Sequence, residues 1–157
     1  MRINAFLTAI ISLTLSFGMI GSAAADPDGS QRLRGLGDRV FLVEVEVITA
    51  EDCCGLPPVG FTFANCYFFE ADGTWIDPSF PRPSSPVPGE WVQHSTGAKT
   101  TYSAFSDVGI LLWQDGIVTP ARGKGVLQLE AYSTVFFGDF PLATFRSVGE
   151  EVDECPL

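Results

Sequence analysis

The chain has 157 residues, with 19 acidic side chains against 9 basic ones and a formal net charge of −10. A surface this acidic repels phosphates, which excludes nucleic acid and anionic lipid surfaces as partners and leaves solubility as the simplest use of the charge. The length suits one domain with room for a hydrophobic core.

The first segment has the order of a secretory signal. Arg2 supplies a positive start, Ala5 to Ile20 is apolar apart from hydroxyl residues and Gly18, and Ala23-Ala24-Ala25 offers small residues before Asp26. A run of about sixteen apolar residues falls short of the ~20 that a spanning helix needs. The reading is therefore a signal over 1–25, cleaved after Ala25, and a secreted or periplasmic protein. Cleavage takes the length from 157 to 132 and, because residues 1–25 carry one basic and no acidic residue, the charge from −10 to −11. No later stretch is long and apolar enough to span a bilayer, so the mature form is expected to be soluble.

Residues 26–38 are polar and glycine-rich and read as a loose arm, with one domain over 39–157. At 39–50, RVFLVEVEVITA alternates: Phe41, Val43, Val45 and Val47 share one face, Glu44 and Glu46 the other. Period two with β-branched residues predicts a half-buried strand. EDCCGLPPVG is a turn. FTFANCYFFE is a second strand, with Phe61, Phe63, Tyr67 and Phe69 on one face and Cys66 and Phe68 on the other, as if that side were covered by the proline loop. Asp72-Gly73 is a hairpin signal, and Trp75-Ile76 starts a short third strand.

Residues 77–89 hold Pro78, Pro81, Pro83, Pro86 and Pro88, which remove five backbone donors. The segment reads as an extended surface loop: a stiff connector, a docking segment or a flap. GEWVQHS, a turn at Thr96-Gly97 and KTTYSAFS form a second hairpin. VGILLWQ, a turn at Asp115-Gly116 and IVTPAR form a third. VLQLEAYSTVFF is the longest strand, with Leu127, Leu129, Ala131, Val135 and Phe137 on one face. Gly138-Asp139 turns into a final strand, PLATFRSV, and an acidic tail follows.

These elements predict an all-β protein: an antiparallel up-and-down meander of eight or nine strands. Closing the sheet removes its exposed edges, so a closed barrel is favoured over a sandwich. The strand count, the hairpin order and the Gly-x-Trp pieces at Gly73-Thr74-Trp75 and Gly89-Glu90-Trp91 resemble the lipocalin-like (calycin) barrels over most of residues 39–148. The usual Gly-x-Trp of that family lies near the start of the first strand, whereas here it follows the second. The resemblance implies a barrel with an apolar ligand pocket.

Four cysteines in an exported chain read as disulfides. Three pairings are possible. A vicinal Cys53–Cys54 bond is strained, so one of these two is expected to bond Cys66 and the other Cys155. With no CxxC and a single histidine, His94, no metal and no cofactor are expected.

Chemistry has few candidates. No G-x-S-x-G elbow accompanies His94, which reads as a surface or rim residue beside Ser95, Ser103, Ser106 and Asp107. Glu44 and Glu46 read as solvated, and so does the acidic run Glu150, Glu151, Asp153 and Glu154. The aromatic residues either fill the barrel or line a pocket. The pocket candidates are Tyr67, Trp75, Phe80, Trp91, Tyr102, Trp113, Glu130 and Tyr132, with its rim near Trp75, Phe80 and Trp91. Three functions follow. The first is a non-catalytic barrel binding a small apolar or aromatic ligand. The second is a filled-core interaction module meeting an unidentified protein partner through loop 77–89 or the acidic surface. The third is a cyclase or isomerase, which needs Glu130, Tyr102, Tyr132 or His94 inside. The direction of the Gln128–Glu130–Tyr132 row separates the first from the third.

Overall fold

The computed structural model describes residues 35–52, 55–80, 88–95 and 99–157. The expected signal over 1–25, most of the arm, Cys53, Cys54, the centre of the proline loop and the Thr96-Gly97 turn lie outside the described residues.

Eight strands run among the described residues: β1 (Arg39–Ala50), β2 (Thr62–Phe69), β3 (Thr74–Ile76), β4 (Gly89–Gln93), β5 (Thr100–Asp107), β6 (Leu111–Pro120), β7 (Leu127–Phe137) and β8 (Phe140–Val152). Each pairs antiparallel with the next, and β1 also pairs with β8, so the meander closes into a barrel. The closing ladder runs from Val40↔Val152 to Ala50↔Ala143. Closure leaves no edge strand to template another chain. The thinnest part of the wall is β3, joined by two residue pairs to β2 and by two to β4.

The third hairpin is placed differently from the sequence expectation. Asp115-Gly116 is not a turn; it sits inside β6, where Gly116 pairs with Tyr102 and Ala131. The two strands expected on either side of it are one strand, and the turn lies at Val108–Ile110, where Gly109 takes a φ of +86°. The glycine serves packing: a Cβ at 116 would stand 2.4 Å from the Tyr102 ring. Gly149 serves close approach in the same way, since a Cβ there would meet the Leu42 carbonyl oxygen at 2.0 Å.

Alternation sorts the side chains as expected from the period. Phe41, Val43, Val45 and Val47 of β1 face the interior with Leu127, Leu129, Ala131 and Val135 of β7. Aromatic rings fill the centre: Phe69 meets Tyr102 at 4.9 Å, Trp91 at 5.7 Å and Phe41 at 5.8 Å between centroids, and Tyr67 meets Trp75 at 5.9 Å. An eight-stranded barrel is just wide enough for such side chains.

The last residues of the expected loose arm are packed. Leu36 is fully buried in the core, its N–H donates to Gln93 Oε1, and Asp38 accepts from the Ala71 N–H. We call this end the base. It carries the turns after β2, β4 and β6. The opposite end, the mouth, carries the turns after β1, β3, β5 and β7.

The disulfide corrects the expected pairing: Cys66 bonds Cys155. The register explains where the bond can form. Val40 pairs with both Phe68 and Val152, so the tail leaves β8 at the base, the end at which β2 finishes. Cys66 points outward yet is fully buried, so the second covered face of β2 is covered by the C-terminal tail at Cys155.

Candidate functional site

The interior contains a polar layer that strand alternation alone does not reveal. Tyr67 OH and Ser147 Oγ share a hydrogen bond of 2.7 Å. Tyr102 OH donates to Gln114 Oε1 at 2.9 Å, and Gln114 Nε2 donates to Ser133 Oγ at 2.9 Å. All five side chains are buried. Burial pushes both phenols up, and the Asp77 carboxylate adds to the rise at Tyr67.

One step toward the mouth, Asp77 is 7% exposed. Its Oδ1 accepts from Asn65 Nδ2 at 2.7 Å, Ser79 Oγ at 2.6 Å and Ser79 N–H at 2.9 Å. Burial raises its pKa, and these donors oppose the rise. The Ser79 bond makes Asp-Pro-Ser a turn that fixes where the proline loop leaves β3. Among the described residues, two buried polar atoms have no partner: Trp75 Nε1 and Thr100 Oγ1. A buried donor without an acceptor costs about 1–3 kcal/mol.

Above the polar layer, Phe63, Phe80, Ile110, Leu142 and Phe145 are half-buried and pack down onto the core at the mouth. Around them Ile48, Val59, Phe61, Val108, Phe137 and Phe140 are exposed, Phe137 at 62% and Phe140 at 74%. These are most of the large apolar residues the surface shows, gathered on three turns at one end. Among the described residues Arg39, Lys99, Arg122 and Lys124 lie at the base among Asp38, Glu70, Asp72, Glu150, Glu151, Asp153 and Glu154, Arg146 lies on the outer wall, and Glu51, Asp52, Asp107 and Asp139 surround the mouth.

The eight expected pocket residues separate into three groups. Tyr67, Trp75 and Tyr102 are fully buried in the interior. Phe80 lies at the mouth and Trp91 packs toward the base, its Nε1 donating to the Glu70 carbonyl, and both pack against the core that holds Trp75. Trp113, Glu130 and Tyr132 are on the outer surface, the row of Gln128, Glu130 and Tyr132 facing solvent. Glu130 there accepts from Arg146.

His94 is also outside. Its Nε2 is 2.8 Å from Ser103 Oγ, and Ser103 donates to Asp115 Oδ1 at 2.5 Å. Serine thus stands between histidine and aspartate. Nucleophile activation needs the base in the middle, so this is not a triad arrangement.

A groove of about 670 Å³ crosses the outer faces of β1, β2 and β8, between Leu42, Glu44, Thr62, Ala64, Val126 and Glu150. Of its carboxylates, Glu150 is already engaged by Lys124 and Glu151 by Arg39 and the Leu127 N–H. The mouth is the better candidate, because among the described residues it is where apolar walls meet a buried polar floor.

Reading by alternation missed Asn65, Asp77, Gln114, Ser133 and Ser147. A signal existed for Ser133, which shares the parity of Leu127, Leu129, Ala131 and Val135. Among the described residues no group of His, Cys, Asp and Glu could hold a metal ion, and no helix is long and apolar enough to cross a membrane. The Cys66–Cys155 bond is compatible with an extracellular or periplasmic protein. The fold is that of a closed eight-stranded antiparallel barrel, consistent with a lipocalin-like architecture. Comparison with known proteins returned no matching family model, no matching curated protein and no matching solved structure.

Proposed function

We propose that this is an exported binding barrel that takes a small, mainly apolar or aromatic molecule at its mouth, without covalent chemistry, in the manner of the lipocalin-like barrels. The observation that carries the reading is the half-buried collar of Phe63, Phe80, Ile110, Leu142 and Phe145 above the polar layer of Asn65, Asp77, Tyr67 and Ser147. Apolar walls supply affinity, and a few fixed polar groups supply orientation. Unsatisfied Trp75 Nε1 gives the interior a spare donor for a ligand oxygen or a water. The residues assigned to the site are Phe63, Asn65, Tyr67, Asp77, Phe80 and Phe145.

The test is native mass spectrometry of the protein purified from its own host. A reproducible extra mass that is lost on denaturation supports binding, and Phe145→Trp, which overfills the collar, is expected to abolish it. A bare mass, together with no change in tryptophan fluorescence on adding apolar probes, overturns the reading.

The second reading is an interaction module with a filled core. The rim favours it, since Phe137 and Phe140 flank the turn after β7 with most of their surface in water. A bare barrel that captures one defined protein, and loses it when both phenylalanines become serine, would establish this reading instead.

A further inference from the structure

The outer wall carries an aromatic strip that the mouth does not use. Phe105, Trp113 and Tyr132 point outward from β5, β6 and β7. The register pairs Phe105 with Trp113 and sets Tyr132 beside Asp115, diagonal to Trp113. The Phe105 and Trp113 rings are nearly parallel, 13° between planes with centroids 6.0 Å apart. That spacing and angle make an offset stack, in which Phe105 supports one side of the indole and leaves the rest of it open. Trp113 keeps 41% of its surface exposed and Tyr132 52%.

The indole is held in place. Its Nε1 donates to Asp115 Oδ2 at 3.0 Å, Ser103 holds the other Asp115 oxygen, and His94 bonds Ser103. Exposed polar contacts of this kind add little to folding, and fixing side chains costs rotamer freedom. The arrangement makes physical sense as preorganisation of a ring for a ligand. Beyond Tyr132, Arg146 donates to Glu130 at 2.9 Å, so polar groups border the rings on both sides.

We propose that this strip binds a neutral, flat saccharide chain, with sugar rings lying on Trp113 and Tyr132 and hydroxyls meeting Asp115, His94, Glu130 and Arg146. A pyranose offers apolar C–H faces and hydroxyl edges, which matches aromatic faces bordered by donors and acceptors. Neighbouring strands stand ~4.8 Å apart, so the three rings span roughly 10 Å, about two hexose units. A stable protein interface needs on the order of 800 Å² per partner, far more than three partly exposed rings supply. The mature charge of −11, from 8 basic and 19 acidic residues over 26–157, repels sulfated or uronic chains and a second copy of this surface.

The experiment incubates the mature protein with insoluble cellulose and with chitin, and titrates cellopentaose and chitopentaose against tryptophan fluorescence. Retention on at least one neutral polymer is expected, with a matching oligosaccharide titration. Trp113→Ala should weaken it by about tenfold or more and Tyr132→Ala by less, each with the barrel still folded, the lost Phe105 stack and Asp115 bond lowering the melting temperature of Trp113→Ala only slightly. Phe140→Ser at the mouth should leave it unaltered, which separates this site from the mouth. No retention on either polymer, equal retention of Trp113→Ala, preference for heparin, or a dimer that Trp113→Ala dissolves would each overturn the proposal.

Discussion

At the scale of single residues, Asp77 and Gly116 show most directly what the interior demands. Burial raises the Asp77 pKa, so between its unfolded and folded values the native chain keeps a proton that the unfolded chain has released. Stability attributable to this group is therefore highest below the unfolded value. It falls as pH rises through the window and stays lower above the folded value. Asp77→Asn removes the titration and keeps an oxygen to accept from Asn65 and Ser79. The stability of the variant relative to wild type is expected to grow with pH and then level off. Urea denaturation from about pH 3 to about pH 8 measures this; a difference that does not vary with pH would contradict it. Gly116→Ala sets a methyl group against the Tyr102 ring and is expected to cost about 1–3 kcal/mol in the same assay. An unchanged midpoint would mean that the ring swings aside without loss.

Among elements, the short β3 is the weak part of the wall. With two residue pairs on each side, its amides should exchange with solvent well before those of β1, β7 and β8, as hydrogen–deuterium exchange can resolve. Uniform protection around the barrel would overturn that expectation. The Cys66–Cys155 bond spans 89 residues of chain, and in the chain-entropy model its loss costs up to about 4.6 kcal/mol. Replacing both cysteines with serine should lower the denaturation midpoint correspondingly.

Much of this element scale was legible in the sequence. The Phe41–Val47 and Leu127–Val135 alternations gave two walls of the barrel, because the period of a half-buried strand is visible in one chain. Asp115-Gly116 misled because the same dipeptide serves a tight turn and a glycine lying under an aromatic ring. Only the cross-strand partner Tyr102 tells them apart, and one sequence does not contain the register. The polar interior was illegible for a related reason. Gln114 and Ser147 are polar residues that carry no sign of burial in one sequence, Asn65 shares the parity of Phe63 and Tyr67 but not their polarity, and Asp77 reads as the start of a proline loop. Trp113 and Tyr132 read as lining the pocket, yet both lie on the outer wall: Asp115-Gly116 continues β6 instead of turning it, and Trp113 takes the parity opposite to buried Leu112 and Gln114.

For the whole molecule, both ends of the barrel are acidic, but among the described residues only the base mixes cations with its carboxylates. The described basic side chains avoid the mouth, and four carboxylates surround it. Exposed Phe137 and Phe140 contribute little to folding, so changing both to serine should shift stability by no more than about 0.5 kcal/mol each while reducing binding of an apolar fluorescent probe. Loss of fold on this change would show that the rim belongs to the core.

The pairing of the first strand with the last has a kinetic meaning. Val40 meets Val152 across 112 residues of sequence, so the ladder that completes the wall carries the largest loop-closure cost of any in the fold. Until Phe140–Val152 is laid along Arg39–Ala50, the chain is an open sheet with two unprotected edges, one of them lined by Phe41, Val43, Val45 and Val47. A polypeptide emerging from its N-terminus therefore carries a sticky, unfinished sheet until β8 has appeared. Its hazard is aggregation during synthesis rather than unfolding afterwards. A circular permutant that makes β8 and β1 sequence neighbours should shorten that interval and fold faster at unchanged equilibrium stability.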